Sequence, residues 1–244
     1  MRLLLLTVVL ALTASPTWAA TRMFFTVANS APVAPSFDGA WDQTTGAVSR
    51  KLADTKGASA ITAGSTISIT EDQLAWQALD RQYVSTRMAG GVLFTSVSTT
   101  VAMQLMMREF AGTDDVDKCI LSVRIVSEDG LTVRATLIGV GNYGPTLELI
   151  NNATMRNKTC ADGDLAQAIY VTVEGDRLVV EVGYQTDGAE TTPQAAAKYG
   201  ENSTDLPVNE TQTTDGNGWV EFSNTITFVG ELAGTKRRKP VVFQ

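Results

Sequence analysis

In a chain without a single histidine, carboxylates are the acid–base groups left in number. Histidine is the side chain that titrates near neutrality and the commonest metal ligand, so Ser-His-Asp hydrolysis, Cys-His proteolysis and His-based zinc sites are all excluded. Glycoside hydrolysis survives as an enzyme class. It needs two Asp or Glu side chains across a cleft, roughly 5–10 Å apart. A Glu-x-Asp-x-x-Glu order along one strand would put such groups on one face, but no segment has it. Glu181 and Glu221 each stand alone on their strands. The expectation is therefore a protein that is not an enzyme.

Binding chemistry has more candidates. Hard oxygen ligands for calcium are available at Asp38 and Asp42 and, later, at Asp187, Glu190, Asp205 and Asp215. Asp187, Glu190 and Asp205 form the expected set if an ion is bound. Their spacing follows no loop motif, and solvated carboxylates in turns are the plainer reading, so calcium is the one cofactor considered. Sugar stacking needs exposed aromatic faces, and Trp41, Trp76, Tyr143, Tyr199 and Trp219 are available. Tyr143, Trp41 and Tyr199 are the candidate ligand-binding residues, with Tyr143 first because the turn Gly141-Asn142-Tyr143-Gly144-Pro145 would expose its ring. The tryptophans suit a core or sheet-edge position better. Cys119 and Cys160 are the only cysteines; they are a candidate disulfide in an oxidising compartment, and two buried thiols otherwise. Asn-x-Ser/Thr sequons begin at Asn152, Asn157, Asn202 and Asn209, all in segments that read as loops.

Strands and turns must position these residues. Leu178, Val180, Val182 and Tyr184 alternate with Val179, Glu181 and Gly183, the period of a strand with one buried face. The preceding run 168–173 has the same character, so the two read as a hairpin. Residues 119–126 and 131–138 read as a second hairpin across Glu128-Asp129-Gly130, with Arg124 and Arg134 on a wet face. Further strands are expected at 23–27, 47–52, 66–70, 81–85, 92–97 and 101–108, and a closing strand over 220–228. Residues 187–217 are polar and are expected to form long surface loops, with a short helical or strand segment at 194–199. With no βα alternation, the pattern predicts an all-β fold: an antiparallel two-sheet β-sandwich of jelly-roll topology, one domain over 21–230.

The ends and the charge balance address location and partners. Residues 1–20 have the layout of a secretory signal peptide, with Arg2, an apolar run over 3–12 and cleavage after Ala19 or Ala20. The run is about half the roughly 20 residues a membrane helix needs, so no membrane span is expected in the mature chain. Initiation at Met23 would instead leave the leader outside the protein. Without Arg2, 18 basic residues face 26 acidic ones, a net charge of −8, which disfavours nucleic acid. Residues 231–244 form a basic tail around Lys236-Arg237-Arg238-Lys239, read as solvated or as docking on a negative partner.

Several stretches in order along the chain resemble a widespread group of phage and metagenomic β-sandwich proteins treated as virion- or tail-associated. They are Val33-Ala34-Pro35-Ser36-Phe37-Asp38-Gly39-Ala40-Trp41, Thr55-Lys56-Gly57-Ala58-Ser59-Ala60, Arg81-Gln82-Tyr83-Val84-Ser85, the run 175–183 and the run 218–228. The resemblance covers residues 24–228 and attaches no catalytic residues; the leader and the basic tail depart from it. It implies a non-enzymatic structural or surface-binding subunit of a virion or extracellular assembly, self-associating or meeting other such subunits. The alternatives are a secreted monomeric carbohydrate-binding module, possibly stabilised by calcium, and a secreted glycosidase.

Overall fold

The computed structural model describes residues 20–231 apart from 45–47, 58–61, 69–76, 110–115, 146–148, 150–154, 187–193, 201 and 215. The leader, the basic tail after Glu231, Trp76, Asn152, Asp187, Glu190 and Asp215 thus lie outside the described residues.

Every regular element among the described residues is a strand. They are β1 (Thr21–Ser30), β2 (Gln43–Thr44), β3 (Val48–Ala53), β4 (Thr62–Ser68), β5 (Gln77–Ser85), β6 (Leu93–Phe94) and β7 (Thr100–Glu109). There follow β8 (Val116–Val126), β9 (Val133–Gly141), β10 (Arg156–Leu165), β11 (Tyr170–Val171), β12 (Arg177–Thr186), β13 (Gln194–Tyr199) and β14 (Trp219–Phe222). Alternation decides which side of each strand is buried. On β7, Val101, Met103, Leu105 and Met107 enter one core, joined there by Cys119, Leu121, Val123 and Ile125 of β8 and by Leu178, Val180, Val182 and Tyr184 of β12.

Twelve strands form one sheet in the order β4-β13-β7-β14-β1-β3-β5-β12-β8-β9, with β10 beside β7 and β2 beside β5. On β7, Met103 has Val220 of β14 on one edge and Ala161 of β10 on the other. The sheet's ends then meet, because Tyr143, just past β9, bridges to Ala161. The Cys119–Cys160 disulfide, Cα–Cα 5.1 Å, ties β8 to β10 across that seam. The sheet is bent round a single core and nearly closed as a barrel.

The fold is all-β as expected, but the sheet is mixed. β2 and β3 run parallel to β5. Parallel neighbours need a long crossover, and between β3 and β5 the chain passes through β4, which pairs with β13 elsewhere in the sheet. The 119–138 hairpin forms, with Gly130 at φ 79° in its turn. The hairpin expected between 168–173 and 175–184 does not: β12 pairs with β5 and β8 along its length, and β11 pairs with β6 in a separate two-stranded sheet. The closing strand stops at Phe222, beyond which Phe228 makes only an isolated bridge to Met88.

Two irregular segments cover the outside of the barrel. Residues 31–42 lie over β5, β8 and β12, where Val33 packs on Val84, Val126 and Val179, and Trp41 packs on Ile120 and Val140. Residues 202–214 and 216–217 lie over β7, β13 and β14, where Leu206 packs with Met106, Ala196 and Trp219. Within the expected surface loops over 187–217, the segment expected to be helix or strand at 194–199 is the strand β13, and the loop expectation is corrected at Leu206, which is buried in a cover. Arg124 is likewise not on a wet face, since the first cover buries it.

Candidate functional site

Glu181 lies on the outer face of β12, fully enclosed beneath the first cover. Its carboxylate accepts hydrogen bonds from the Asp38 backbone N–H at 3.0 Å and Trp41 Nε1 at 2.7 Å, and pairs with the Arg124 guanidinium. Arg124 also donates to the Ser36 carbonyl at 2.8 Å and lies 3.7 Å from Asp38 Oδ2, which accepts from Ser122 Oγ at 2.8 Å. Burial pushes the Glu181 carboxyl up, and Arg124 with the other donors pulls it back only in part, so it stays above the usual carboxylate range. A raised carboxyl in a cleft is one signature of a catalytic acid. Here the acceptor oxygens are taken up by the chain's own donors and the group has no exposure, so the arrangement fastens a loop. Glu221 lies on β14, four strand spacings or roughly 19 Å away along the sheet, and is paired with Arg22 at 2.9 Å.

Of the three residues expected to bind ligands, the side chains of Trp41 and Tyr143 are described. Trp41 is buried, with its ring in the outer packing cluster and its indole N–H on Glu181, which removes it as a stacking platform. Tyr143 is half-buried rather than displayed: its hydroxyl donates to the Gly139 carbonyl at 2.9 Å, accepts from Gln167 at 2.9 Å, and its ring lies over Gly141. The turn closes the barrel seam, so its ring is drawn inward. Tyr199 ends β13, and its side chain lies outside the described residues. Trp219 is buried with Arg22 over its ring at 4.0 Å. Of the expected calcium set, only Asp205 is described. It is neutralised by Lys56 and by Arg22 at 3.2 Å and accepts from Asn217 at 3.0 Å. Burial pushes its carboxyl up, but the bonds from Lys56 and Asn217 and the Lys56 charge outweigh this and hold it below the usual range. Two cations and an amide on one carboxylate fill the place an ion would take, and no group of metal-ligating residues occurs among the described residues. The loop reading of Asn157 is also corrected, for Asn157 is buried in β10 and bonded to Asn209 at 2.9 Å.

A different region is left open. Residues 88–107, 165–173 and 222–230 contain no charged side chain, and the fold brings all three to one end of the barrel. Ala89 N–H donates to the Thr227 carbonyl at 2.8 Å, Ala166 N–H to the Thr99 carbonyl at 2.8 Å, and Thr172 N–H to the Val92 carbonyl at 2.9 Å. Asn224 Nδ2 donates to the Leu93 carbonyl at 3.1 Å. They enclose a cavity of about 600 Å³ lined by Leu93, Thr95, Ser98, Ser223, Asn224 and Thr225 among others, with no ionisable group.

Beside the cavity lies a strip of exposed aliphatic side chains. Val171 of β11 pairs in register with Leu93 of β6, so both side chains emerge on one face. Flanking β11, Ile169 and Val173 continue the alternation of exposed and inward residues, with Thr172 buried between Val171 and Val173. These four are 49–70% exposed. Between them Tyr170 and Thr172 turn inward. Tyr170 donates to Asp176 Oδ2 at 2.7 Å, and burial together with that bond pushes its phenol up to about 12. Tyr170 thereby anchors the strand whose other face is displayed. Val97 and Leu165, in the adjoining segments, are 80% and 50% exposed. Sequence reasoning passed over this end because it sought charged or aromatic groups. The signal available to it was the absence of charge in three separate runs.

No protein-family model matches this chain, and no curated protein is significantly similar to it. Among solved structures, it is similar to two crystal structures of a CocE/NonD family hydrolase from Staphylococcus aureus. One has a TM-score of 0.41 at 10% identity, over 85% of this chain and 37% of the hydrolase. The other has a TM-score of 0.29 at 10% identity, over 87% and 35%. The chain thus spans little more than a third of the proteins it resembles, and the likeness is too slight to carry a fold or an activity across.

Proposed function

We propose that the protein is a non-catalytic, exported β-module that serves as a structural or surface-binding subunit of an extracellular assembly, a virion being one such assembly. Its docking surface is the uncharged end around β6 and β11. In this reading the bent sheet acts as a two-layer, jelly-roll-like scaffold that holds the end rigid. The observation that carries it is the exposed row Leu93, Ile169, Val171 and Val173 where three charge-free segments converge. The largest contiguous apolar patch on a soluble monomer is often functional, and this row is the candidate for it. Export is supported by the disulfide. The absence of catalysis is supported by Glu181, whose acceptors are used to hold residues 31–42.

Density-gradient fractionation of the producing culture tests this reading. The protein is expected to co-sediment with particles or filaments, and Val171→Lys to remain in the soluble fraction. Two soluble proteins, or two that co-sediment equally, would sink it.

The cavity favours a second reading, a module for neutral glycans. Its hydroxyl and amide lining suits sugar hydroxyls, although no aromatic platform lies beside it. A glycan array read with and without Asn224→Ala separates the two: sugar binding lost in the variant supports the glycan module.

A further inference from the structure

The docking surface leaves its partner open, and the charge distribution narrows the choice. Without the leader the chain has a net charge of −8, from 18 basic and 26 acidic residues, so two copies repel in most orientations. A two-fold contact lays a patch on the same patch of its mate, and any charge near the axis would meet its like. The centre of the β6–β11 strip, at Leu93, Ile169 and Val171, avoids that penalty because the three segments that build it carry no charge; Glu174 and Arg134 border it at the Val173 end. The bordering charges are of both signs, acidic at Glu174 and basic at Arg134, so they single out neither a phosphate-bearing surface nor a basic partner.

The area is also of the right order. Burying one Val, Leu or Ile side chain completely corresponds to roughly 60–120 Å² at 25 cal/mol per Å². Leu93, Val97, Leu165, Ile169, Val171 and Val173 are each about half to four-fifths exposed, so together they offer on the order of 300 Å² per copy. A standard interface takes about 800 Å² from each partner, a little over half of it apolar. The strip would supply most of the apolar centre, and the Ser and Thr rim of the cavity would supply polar surroundings. Among the described residues, β11 is bound by a strand on one edge only, which lets a mate approach from the other side.

We infer that the partner of this strip is a second copy of the chain, docked about a two-fold axis with Val171 and Leu93 of both copies at its centre. The inference rests on the uncharged end being a docking surface at all. Sedimentation velocity on the full disulfide-bonded protein up to about 100 μM tests it. The wild type is expected to be a dimer. Val171→Lys, which sets two ammonium groups against each other near the axis, is expected to weaken the dimer at least about 100-fold, and Ile169→Glu to weaken it as well. Leu131→Lys, at a site 83% exposed in the β8–β9 turn, should leave it unchanged. Melting temperatures equal to that of the wild type at a concentration too low for association would show that the variants fold. A wild type that stays monomeric overturns the inference. If Val171→Lys still abolishes co-sedimentation in that case, the docking reading stands with a glycan or another protein as occupant. A dimer that none of the strip variants disturbs overturns the inference by placing the contact elsewhere.

Discussion

The outer face of β12 and the β6–β11 end treat their side chains in opposite ways. On β12, a carboxylate that could have faced water is roofed by residues 31–42 and given donors from Asp38, Trp41 and Arg124. At the other site, aliphatic side chains that could have been roofed are left bare, and Tyr170 and Thr172 beneath them hold the strand in place. Polar groups buried without partners cost free energy, so a covered charge must be fully matched by its own chain. Exposed apolar groups carry the reverse implication, a match supplied from outside. The first region contributes stability and the second contributes binding, and variants should separate the two.

Arg124→Met gives the largest expected loss. It leaves Glu181 buried without its cation, and removing one partner of a buried pair costs about 3–5 kcal/mol. Urea titration at neutral pH measures it; a loss under about 1 kcal/mol would mean that the cover opens readily to water. Trp41→Phe keeps the ring and removes one donor to Glu181. A hydrogen bond to a charged group is worth about 1.5–3 kcal/mol, so a loss near the lower limit is expected, with the cover still in place by limited proteolysis at residues 31–42.

How far the sequence reached differs between these regions for physical reasons. Alternation in β12 identified its core-facing residues, because only one side of the strand enters the barrel. Alternation could not say what lies over the other side of a strand, which is why Arg124 of β8 read as solvated. β10 was missed because Asn157, Lys158 and Thr159 look like loop residues, yet they are buried in a strand with the 206–213 segment along it. The 168–184 hairpin failed for a related reason. A short turn makes β11 and β12 neighbours in sequence, but β12 gains far longer ladders from β5 and β8. The bare end was present in the sequence as charge-free runs, and only the pairing of Leu93 with Val171 turns them into one surface.

The contrast also predicts a pH effect. Unfolded, the Glu181 carboxyl ionises around its ordinary 4.5, while folded it ionises at higher pH. Below 4.5 both states are protonated and the contribution is complete. As pH rises, the unfolded chain releases its proton first, so stability falls until the folded value is passed. Asp205 and Glu231 are held low and act in the opposite sense, losing stability on acidification. Subtracting the urea midpoints of Glu181→Gln from those of the wild type cancels these common terms. The difference should decline as pH rises above 4.5; a flat difference would place Glu181 in contact with water, and a rising one would mean that Arg124 and the other donors outweigh burial.

The smallest effect belongs to the bare end. Val171→Thr keeps the β-branched shape and the strand propensity of β11 and changes one methyl to a hydroxyl on a side chain already 54% exposed. Surface changes of this kind stay within about 0.5 kcal/mol. The urea midpoint of the monomer, measured at a concentration too low for association, should therefore match the wild type, while self-association weakens measurably at high concentration. A stability loss comparable to that of Trp41→Phe would show that Val171 packs against its own chain. The division between a face that holds the fold and a face that meets a partner would then fail at its most exposed residue.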